Sequence, residues 1–229
     1  MKKLLMVNAG ITALLGSSIA QAGYSPFYAG AGVGNVKTDG TDKQFCDLCQ
    51  GSQFSMRNHN NNGYKLYGGV NLSDQVAIEG EVVDFGKTYD LDMYRPTLDG
   101  RAERAHATTK ARGVGVSAKV RKHLRNGRTS IYGKGGALAW ETKNHMDYTN
   151  LDNISETYKS RNRGVSPTLG IGVEHEFNAR WSMRVGWDHY FKVGRSDRYL
   201  HVDENRNVDD LRSVKTDVDM VYVGATFNF

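Results

Sequence analysis

The nine residues Val221-Tyr222-Val223-Gly224-Ala225-Thr226-Phe227-Asn228-Phe229 alternate strictly between apolar side chains and polar or small ones. A period of two places alternate side chains on opposite faces of a β-strand. One face is therefore wholly apolar and ends in the ring of Phe229. This arrangement is typical of a strand whose apolar face contacts lipid, with its last aromatic ring at the level of the headgroups.

The same period of two recurs in seven other segments. With the C-terminal strand, the predicted strands are 27–36, 63–72, 76–85, 109–120, 129–140, 167–177, 181–191 and 217–229. Short turns join the second strand to the third, the fourth to the fifth and the sixth to the seventh, whereas long polar segments join the others. This pattern predicts an all-β protein, an eight-stranded antiparallel transmembrane β-barrel with short periplasmic turns and four long extracellular loops.

The composition agrees with this interpretation. Only 39% of the 229 residues are hydrophobic and the mean hydropathy is −0.55, with 26 glycines and 3 prolines. No run of 18 apolar residues is present, which excludes a helical membrane protein. In hydrocarbon a sheet must close on itself to pair its backbone groups, and then only one face of each strand needs to be apolar. The near balance of 30 basic and 25 acidic residues gives no indication of a nucleic-acid partner.

The first 22 residues have the features of a secretory signal peptide. Lys2 and Lys3 precede a mostly apolar stretch, and Ala20-Gln21-Ala22 is a small-x-small cleavage site. Gly23 follows, so the cleaved chain has no cysteine for lipid attachment. We therefore expect a signal peptide over 1–22 and a barrel domain over 23–229, located in the outer membrane of a Gram-negative bacterium.

Cys46 and Cys49 lie in the first long loop. In the oxidising environment outside the cytoplasm the sequence predicts a disulfide between them. Two alternatives stay open. A redox pair of this spacing needs a helix N-terminus to stabilise the thiolate, and a zinc site normally needs four ligands, of which only His59 would be a third.

Five segments are similar to the eight-stranded barrel of outer membrane protein A and its small OmpA-like relatives. They are Phe27–Ala31, Val76–Glu79, Ala111–Val120, Gly172–Glu174 and the strand ending at Phe229. The resemblance follows the order of the strands along the whole mature chain, and it implies a small, porin-like outer membrane barrel. Because the chain ends at Phe229, we expect no periplasmic peptidoglycan-binding domain and no role in anchoring the cell wall.

In that family, charged side chains pointing inward fill and gate the lumen. The resemblance places this network at Glu79, Lys119, Glu174 and Arg184. Two acids and two bases are what a narrow interior requires, since an isolated buried ion is costly. Two interpretations stay open, a static polar core and a gate that admits ions when the pairs exchange partners. By alternation, further members of the network are Lys65, Glu81, Lys134 and Glu176.

Aromatic side chains near the strand ends predict two interfacial girdles. One comprises Phe27, Phe177, Trp181 and Phe229, and the other comprises Phe85, Trp187 and Phe191. Cations near the predicted outer rim suggest lipopolysaccharide phosphates as partners, although loop solubility explains them equally well. These cations are Arg161, Arg163, Arg195, Arg198, Arg212 and Lys215. The acidic pairs at 203–204 and 209–210 do not match a calcium loop, and we expect no metal or cofactor.

The function expected from this pattern is non-enzymatic support of outer-membrane integrity, with a narrow porin-like path as a possible addition. The alternative is surface adhesion, in which the long loops bind a host or surface ligand. A lipid A-modifying enzyme is less favoured because His106, His175 and His189 have no serine at a matching height, so no catalytic residue is expected. The other expected partners are outer-membrane lipid and the barrel assembly machinery, through Phe229, and we expect a monomer.

Overall fold

In the computed structural model the chain forms a closed ring of antiparallel β-strands. The structure describes residues 26–39, 53–56, 60–96, 101–125, 127–149, 154–195, 200–202, 208–211 and 215–229. The predicted signal peptide and the predicted disulfide between Cys46 and Cys49 lie outside these residues and stay predictions, as do Arg198 and Arg212.

The described residues form eleven strands. They are β1 Phe27–Thr38, β2 Gln53–Met56, β3 Asn60–Asn71, β4 Val76–Pro96, β5 Ala102–His123, β6 Thr129–Thr149, β7 Ser155–Glu176, β8 Trp181–Val193, β9 Leu200–Val202, β10 Val208–Leu211 and β11 Thr216–Asn228. The ring has the order β1-β3-β4-β5-β6-β7-β8-β11, and pairing between β1 and β11 closes it. Strand β2 pairs with the far part of β4, and β9 pairs with β10. The prediction of an eight-stranded antiparallel barrel is confirmed.

The strands are strongly tilted. We start at Tyr28 on β1 and move from each residue to its partner on the next strand. After one turn around the ring this path returns to β1 at Thr38, ten residues further along the strand. A stagger of this kind requires the strands to incline by about 35–45° to the barrel axis, and eight strands leave an interior that side chains can fill. Among the described residues no helix is long and apolar enough to cross a membrane.

Side chains alternate between the lumen and the outside along each barrel strand. The outward valines of β5, Val114 and Val116, are each 57% exposed, whereas their inward neighbours Ser117 and Lys119 are buried. The outward faces of β7 and β8 continue this apolar band with Leu169, Ile171 and Val185. The alternation arises from the period-two pattern of the sequence, and it directs charged residues such as Lys119 into the lumen.

Strands β4 to β7 continue well past their predicted ends. They contain 21 or 22 residues each, so much of the sequence interpreted as loop between 86 and 108 and between 141 and 166 is strand. Two features conceal the extension. The outward face becomes charged where the apolar band ends, and register shifts next to Gly86, which has a φ of +68°, interrupt the alternation in β4.

The interpretation of Phe85 as a girdle residue is wrong. Its side chain is fully buried inside the barrel and packs edge-on against Tyr190, with ring centroids 4.8 Å apart. The reason is parity, because Phe85 shares a face with the inward residues Glu79 and Glu81, and the outward position next to it holds Asp84. The two ends of the barrel also differ, with tight turns at one end and the extensions of β4 to β7 at the other, which we call the turn end and the extended end.

A charged lumen as the candidate functional site

The structure brings together all four side chains of the predicted lumen network. Glu79 on β4 accepts a hydrogen bond from Arg184 on β8, with 2.7 Å between Oε2 and Nη1. Lys119 on β5 donates to Glu174 on β7 over 2.6 Å, and Arg184 Nη2 lies 3.5 Å from the same Glu174 oxygen. Arg184 and Glu79 have no exposed side-chain surface. We call these four residues the lower group, because they lie nearer the turn end.

A second set of four charged side chains lies directly above. Lys65 on β3 contacts Glu81 over 2.7 Å and also contacts Asp188 on β8. Lys134 on β6 lies 2.9 Å from Glu81 and 3.0 Å from Asp188. In this upper group each base therefore contacts both acids. Lys134 also reaches Glu79 over 3.5 Å, which joins the upper group to the lower one.

The two groups contain four bases and four acids, so the buried charges of the described lumen network balance. Asp188 is the member that the sequence analysis did not identify. Parity indicates it, because Asp188 lies on the same face of β8 as Arg184 and Tyr190. Glu176 has the predicted parity, but it is half-buried at the end of β7 near the turns and makes no ion pair with a described residue.

Tyrosine side chains add to the solvation of the charges. The hydroxyl of Tyr28 donates to Glu79 over 2.9 Å, and that of Tyr190 donates to Glu81 over 3.0 Å. The ring of Tyr67 lies under the guanidinium of Arg184, with 4.2 Å from its centroid to Cζ. Such cation–π contacts stabilise a desolvated cation, so the lumen is lined by groups that compensate for the loss of water.

Glycines on β7 and β8 make room for these long side chains. A Cβ atom at Gly170 would lie 2.2 Å from Oδ1 of Asp188, and one at Gly172 or Gly186 would lie 2.4 Å from the hydroxyl of Tyr132. Real Cβ atoms essentially never come this close to another atom, so a larger residue at these positions would force the charged and aromatic side chains of the lumen to shift.

An apolar layer fills the lumen above the upper group and extends down beside it at Tyr222, whose ring centroid lies 4.5 Å from Nζ of Lys65. Its members are buried and in mutual contact: Val36, Val83, Phe85, Ala111, Leu138, Trp140, Tyr190, Val193, Val218, Met220 and Tyr222. At the levels of the ion pairs and of this layer, the inside of the barrel is therefore packed with side chains.

The predicted interfacial aromatics lie on the outside of the barrel. Near the turn end Phe27, Phe177, Trp181 and Phe229 are all exposed, and Phe227 joins them by edge-on contacts with Trp181 and Phe229. Towards the extended end Trp187 and Phe191 contact His189, with ring centroids 5.7 and 4.3 Å apart. Phe191 is half-buried.

The three histidines considered for catalysis point outward and lie far apart in the barrel. His106 pairs with Asp92 and His189 with Asp219, each over 2.8 Å, whereas His175 contacts the hydroxyl of Thr129 over 2.9 Å. None of the three has both a hydroxyl and a carboxylate among these partners. The described residues contain no group of histidine, cysteine and acidic side chains that could hold a metal ion.

Comparison with known proteins agrees with this architecture. Residues 9–229 match the family model of the outer membrane protein beta-barrel domain. The outer membrane protein OprG from Pseudomonas aeruginosa is 11% identical, with a TM-score of 0.51 over 90% of this chain and 99% of OprG. Neisserial surface protein A is 11% identical, with a TM-score of 0.48 over 90% of this chain and 98% of that protein.

The attachment invasion locus protein Ail of Yersinia pestis is 12% identical, with a TM-score of 0.43 over 88% of this chain and 98% of Ail. A comparison with curated protein sequences finds no match. At 11% identity the structure of OprG bears on the fold alone, whereas the family model spans nearly the whole sequence. The chain therefore belongs to the family of small outer membrane β-barrel proteins and is located in the outer membrane of a Gram-negative bacterium.

Proposed function

We propose that this protein is a non-enzymatic barrel that supports the integrity of the outer membrane and whose lumen is sealed at rest. The turn end lies in the periplasm and the extended end lies outside the cell. The observation that carries the proposal is the paired, buried state of the eight lumen charges. Removing one partner of a buried ion pair typically costs about 3–5 kcal/mol, so the closed arrangement is strongly favoured over one with separated charges.

The narrow porin-like path is the competing state of the same lumen. Lys134 contacts Glu79, Glu81 and Asp188, so it has alternative acceptors if one pair separates. An exchange of partners along such a network would let water enter without leaving a bare charge. The apolar layer around Phe85 and Met220 would also have to move, which favours the sealed lumen as the resting state.

Conductance across a planar lipid bilayer tests the proposal. The wild-type protein is expected to give no steady current. Arg184→Glu puts a third acid between Glu79 and Glu174 and is expected to produce conducting events, because repelling carboxylates draw in water and cations. Lys122→Glu, on the outside of β5 at the turn end, is the control with the same charge change. A steady wild-type current that Arg184→Glu alters would establish the channel instead.

Surface adhesion is the second candidate function, and the extensions of β4 to β7 favour it. They carry hydrogen-bonded strands past the apolar band, so side chains near their tips are held on a firm scaffold. Tyr148, for example, donates to Glu103 over 3.0 Å on the neighbouring strand. Shortening the β4–β5 and β6–β7 extensions by the same number of residue pairs would leave the barrel intact. If bacteria with the shortened protein bind host cells as well as before, adhesion through these extensions is excluded.

The remaining partners are proposals of the same kind. The outward aromatic side chain of Phe229, 72% exposed at the end of the chain, suits recognition by the barrel assembly machinery. Because β1 pairs with β11, the ring leaves no barrel strand unpaired in the spanning part. A monomer in the lipid bilayer is therefore sufficient, and sedimentation in detergent would test it.

A further inference from the structure

On the outside of the barrel, β5, β6 and β7 carry a cluster of positive charge just beyond the apolar band. Six cations form this cluster, which we call the cationic patch: Lys110, Arg112, Lys143, Lys159, Arg161 and Arg163. All six side chains are exposed. The patch contains one acid, Glu141, which is mostly buried beneath the arginines.

The patch is built in rows that run across the three strands. In the first row Glu141 lies between Arg112 and Arg163, with N–O distances of 2.7 and 2.8 Å. In the next row, two residues further along each strand, Lys110, Lys143 and Arg161 lie directly opposite one another. Three like charges in adjacent cross-strand positions repel and destabilise a sheet.

On the described surface, only one long contact offsets the positive charge of this second row. Glu141 lies 3.8 Å from Arg161, but it already binds two other arginines. No described acidic side chain lies within ion-pair distance of Lys110, Lys143 or Lys159. A sheet that maintains this repulsion in its hydrogen-bonded register, with the charges all on one face, is expected to bind an anion supplied from outside.

The position of the patch identifies the source of that anion. The next outward-facing residue towards the turn end is apolar on each of the three strands. It is Val114 next to Arg112, Ala139 next to Glu141, and Val165, which is 71% exposed, next to Arg163. The cationic patch therefore begins where the lipid-facing surface ends. Outward residues two apart are about 7 Å apart along a strand and neighbouring strands are about 4.8 Å apart, so the rows match a headgroup with more than one phosphate.

We propose that the cationic patch binds the phosphate groups of a phosphorylated glycolipid of the outer leaflet, with lipid A as the chemical type, while its acyl chains lie along the apolar band below. Arginine donates paired hydrogen bonds to phosphate and lysine adds point charge. Glu141 holds Arg112 and Arg163 in place at the lower border. The proposal depends on the extended end lying outside the cell, but not on the state of the lumen.

The test is native mass spectrometry of the folded, signal-free protein in mild detergent and EDTA, titrated with bis-phosphorylated lipid A. The test variant is Lys110→Gln/Lys143→Gln/Arg161→Gln. The control is Lys122→Gln/Arg125→Gln/Arg128→Gln, which removes the same charge at the turn end. We expect wild type and control to bind equally and the test variant to bind at least about tenfold more weakly, equivalent to about 1.4 kcal/mol.

Three further arms identify what is bound. Dephosphorylated lipid A is expected to bind wild type as weakly as bis-phosphorylated lipid A binds the test variant. Lys110→Arg/Lys143→Arg/Arg161→Lys is expected to retain binding, and heat-modified migration on gels checks that every variant is folded. Equal binding by the test variant, or equal binding of dephosphorylated lipid A, would overturn the proposal. So would inorganic phosphate that binds as tightly as the glycolipid, since the patch would then be a site for free anions.

Discussion

Replacing Arg184 with methionine removes the only guanidinium of the described lumen network while keeping a long, flexible side chain. The substitution deletes the 2.7 Å hydrogen bond to Glu79, the 3.5 Å ion pair with Glu174 and the contact with the ring of Tyr67. Glu174 keeps Lys119 at 2.6 Å. Glu79, fully buried, keeps only the more distant Lys134 at 3.5 Å and the hydroxyl of Tyr28.

The carboxylate of Glu79, left with these weaker partners alone, therefore sets the magnitude. Leaving a buried charge without its partner costs about 3–5 kcal/mol, and Arg184→Met is expected to lower the free energy of unfolding by about that amount. The double variant Arg184→Met/Glu79→Gln also neutralises Glu79 and so removes the buried negative charge that had lost its main partner. Most of the loss should then be recovered, so the two substitutions should be strongly non-additive.

Reversible urea unfolding of the protein in lipid vesicles, followed by tryptophan fluorescence, measures these differences. Arg163→Met is the matched control, because Arg163 also pairs with a glutamate at 2.8 Å but its side chain is 70% exposed. Exposed pairs contribute about 0–1 kcal/mol. The reasoning is refuted if Arg184→Met costs no more than Arg163→Met, or if the double variant is as unstable as the sum of its two substitutions.

Three other outcomes are expected. Gly170→Val places a Cβ 2.2 Å from a lumen carboxylate oxygen and should cost about 1–3 kcal/mol of unfolding free energy, whereas Gly133→Val, whose nearest neighbour atom is 3.9 Å away on the outer face, should be tolerated. Burial raises the pKa of Glu141, but hydrogen bonds from the flanking arginines outweigh this and lower it overall. A lowered carboxyl pKa stabilises the fold above the ordinary carboxyl pKa and ceases to do so as the pH falls through the folded value, so the stability difference between wild type and Glu141→Gln should vanish in strong acid. Intact-mass measurement after alkylation should find Cys46 and Cys49 unmodified until the protein is reduced, and alkylation without reductant would contradict the predicted disulfide.

The sequence was sufficient for the barrel because each spanning strand must alternate, and alternation is visible without any knowledge of partners. It also placed Glu79, Lys119, Glu174 and Arg184 on inward faces. The distances between them depend on the ten-residue stagger of the ring, which is a property of all eight strands together. No single segment of the sequence specifies that value.

The errors have physical causes of the same kind. Phe85 was assigned to a girdle from its residue type, although its parity directs it into the lumen. Asp188 was not assigned to the lumen, although the face that it shares with Arg184 indicates that it belongs to the network. The extensions of β4 to β7 were missed because hydropathy reports contact with lipid, and a strand that continues past the membrane no longer shows that contrast.

The balance of charge in the lumen constrains the way the barrel enters the membrane. The β3–β4 hairpin contributes one base, Lys65, and two acids, Glu79 and Glu81. The β7–β8 hairpin contributes one base, Arg184, and two acids, Glu174 and Asp188. The β5–β6 hairpin contributes two bases and no acid. A hairpin that crossed hydrocarbon alone would therefore carry a net charge into it, at high cost. Insertion of the three hairpins is expected to be concerted, so that their opposite charges meet before the acyl chains close around them.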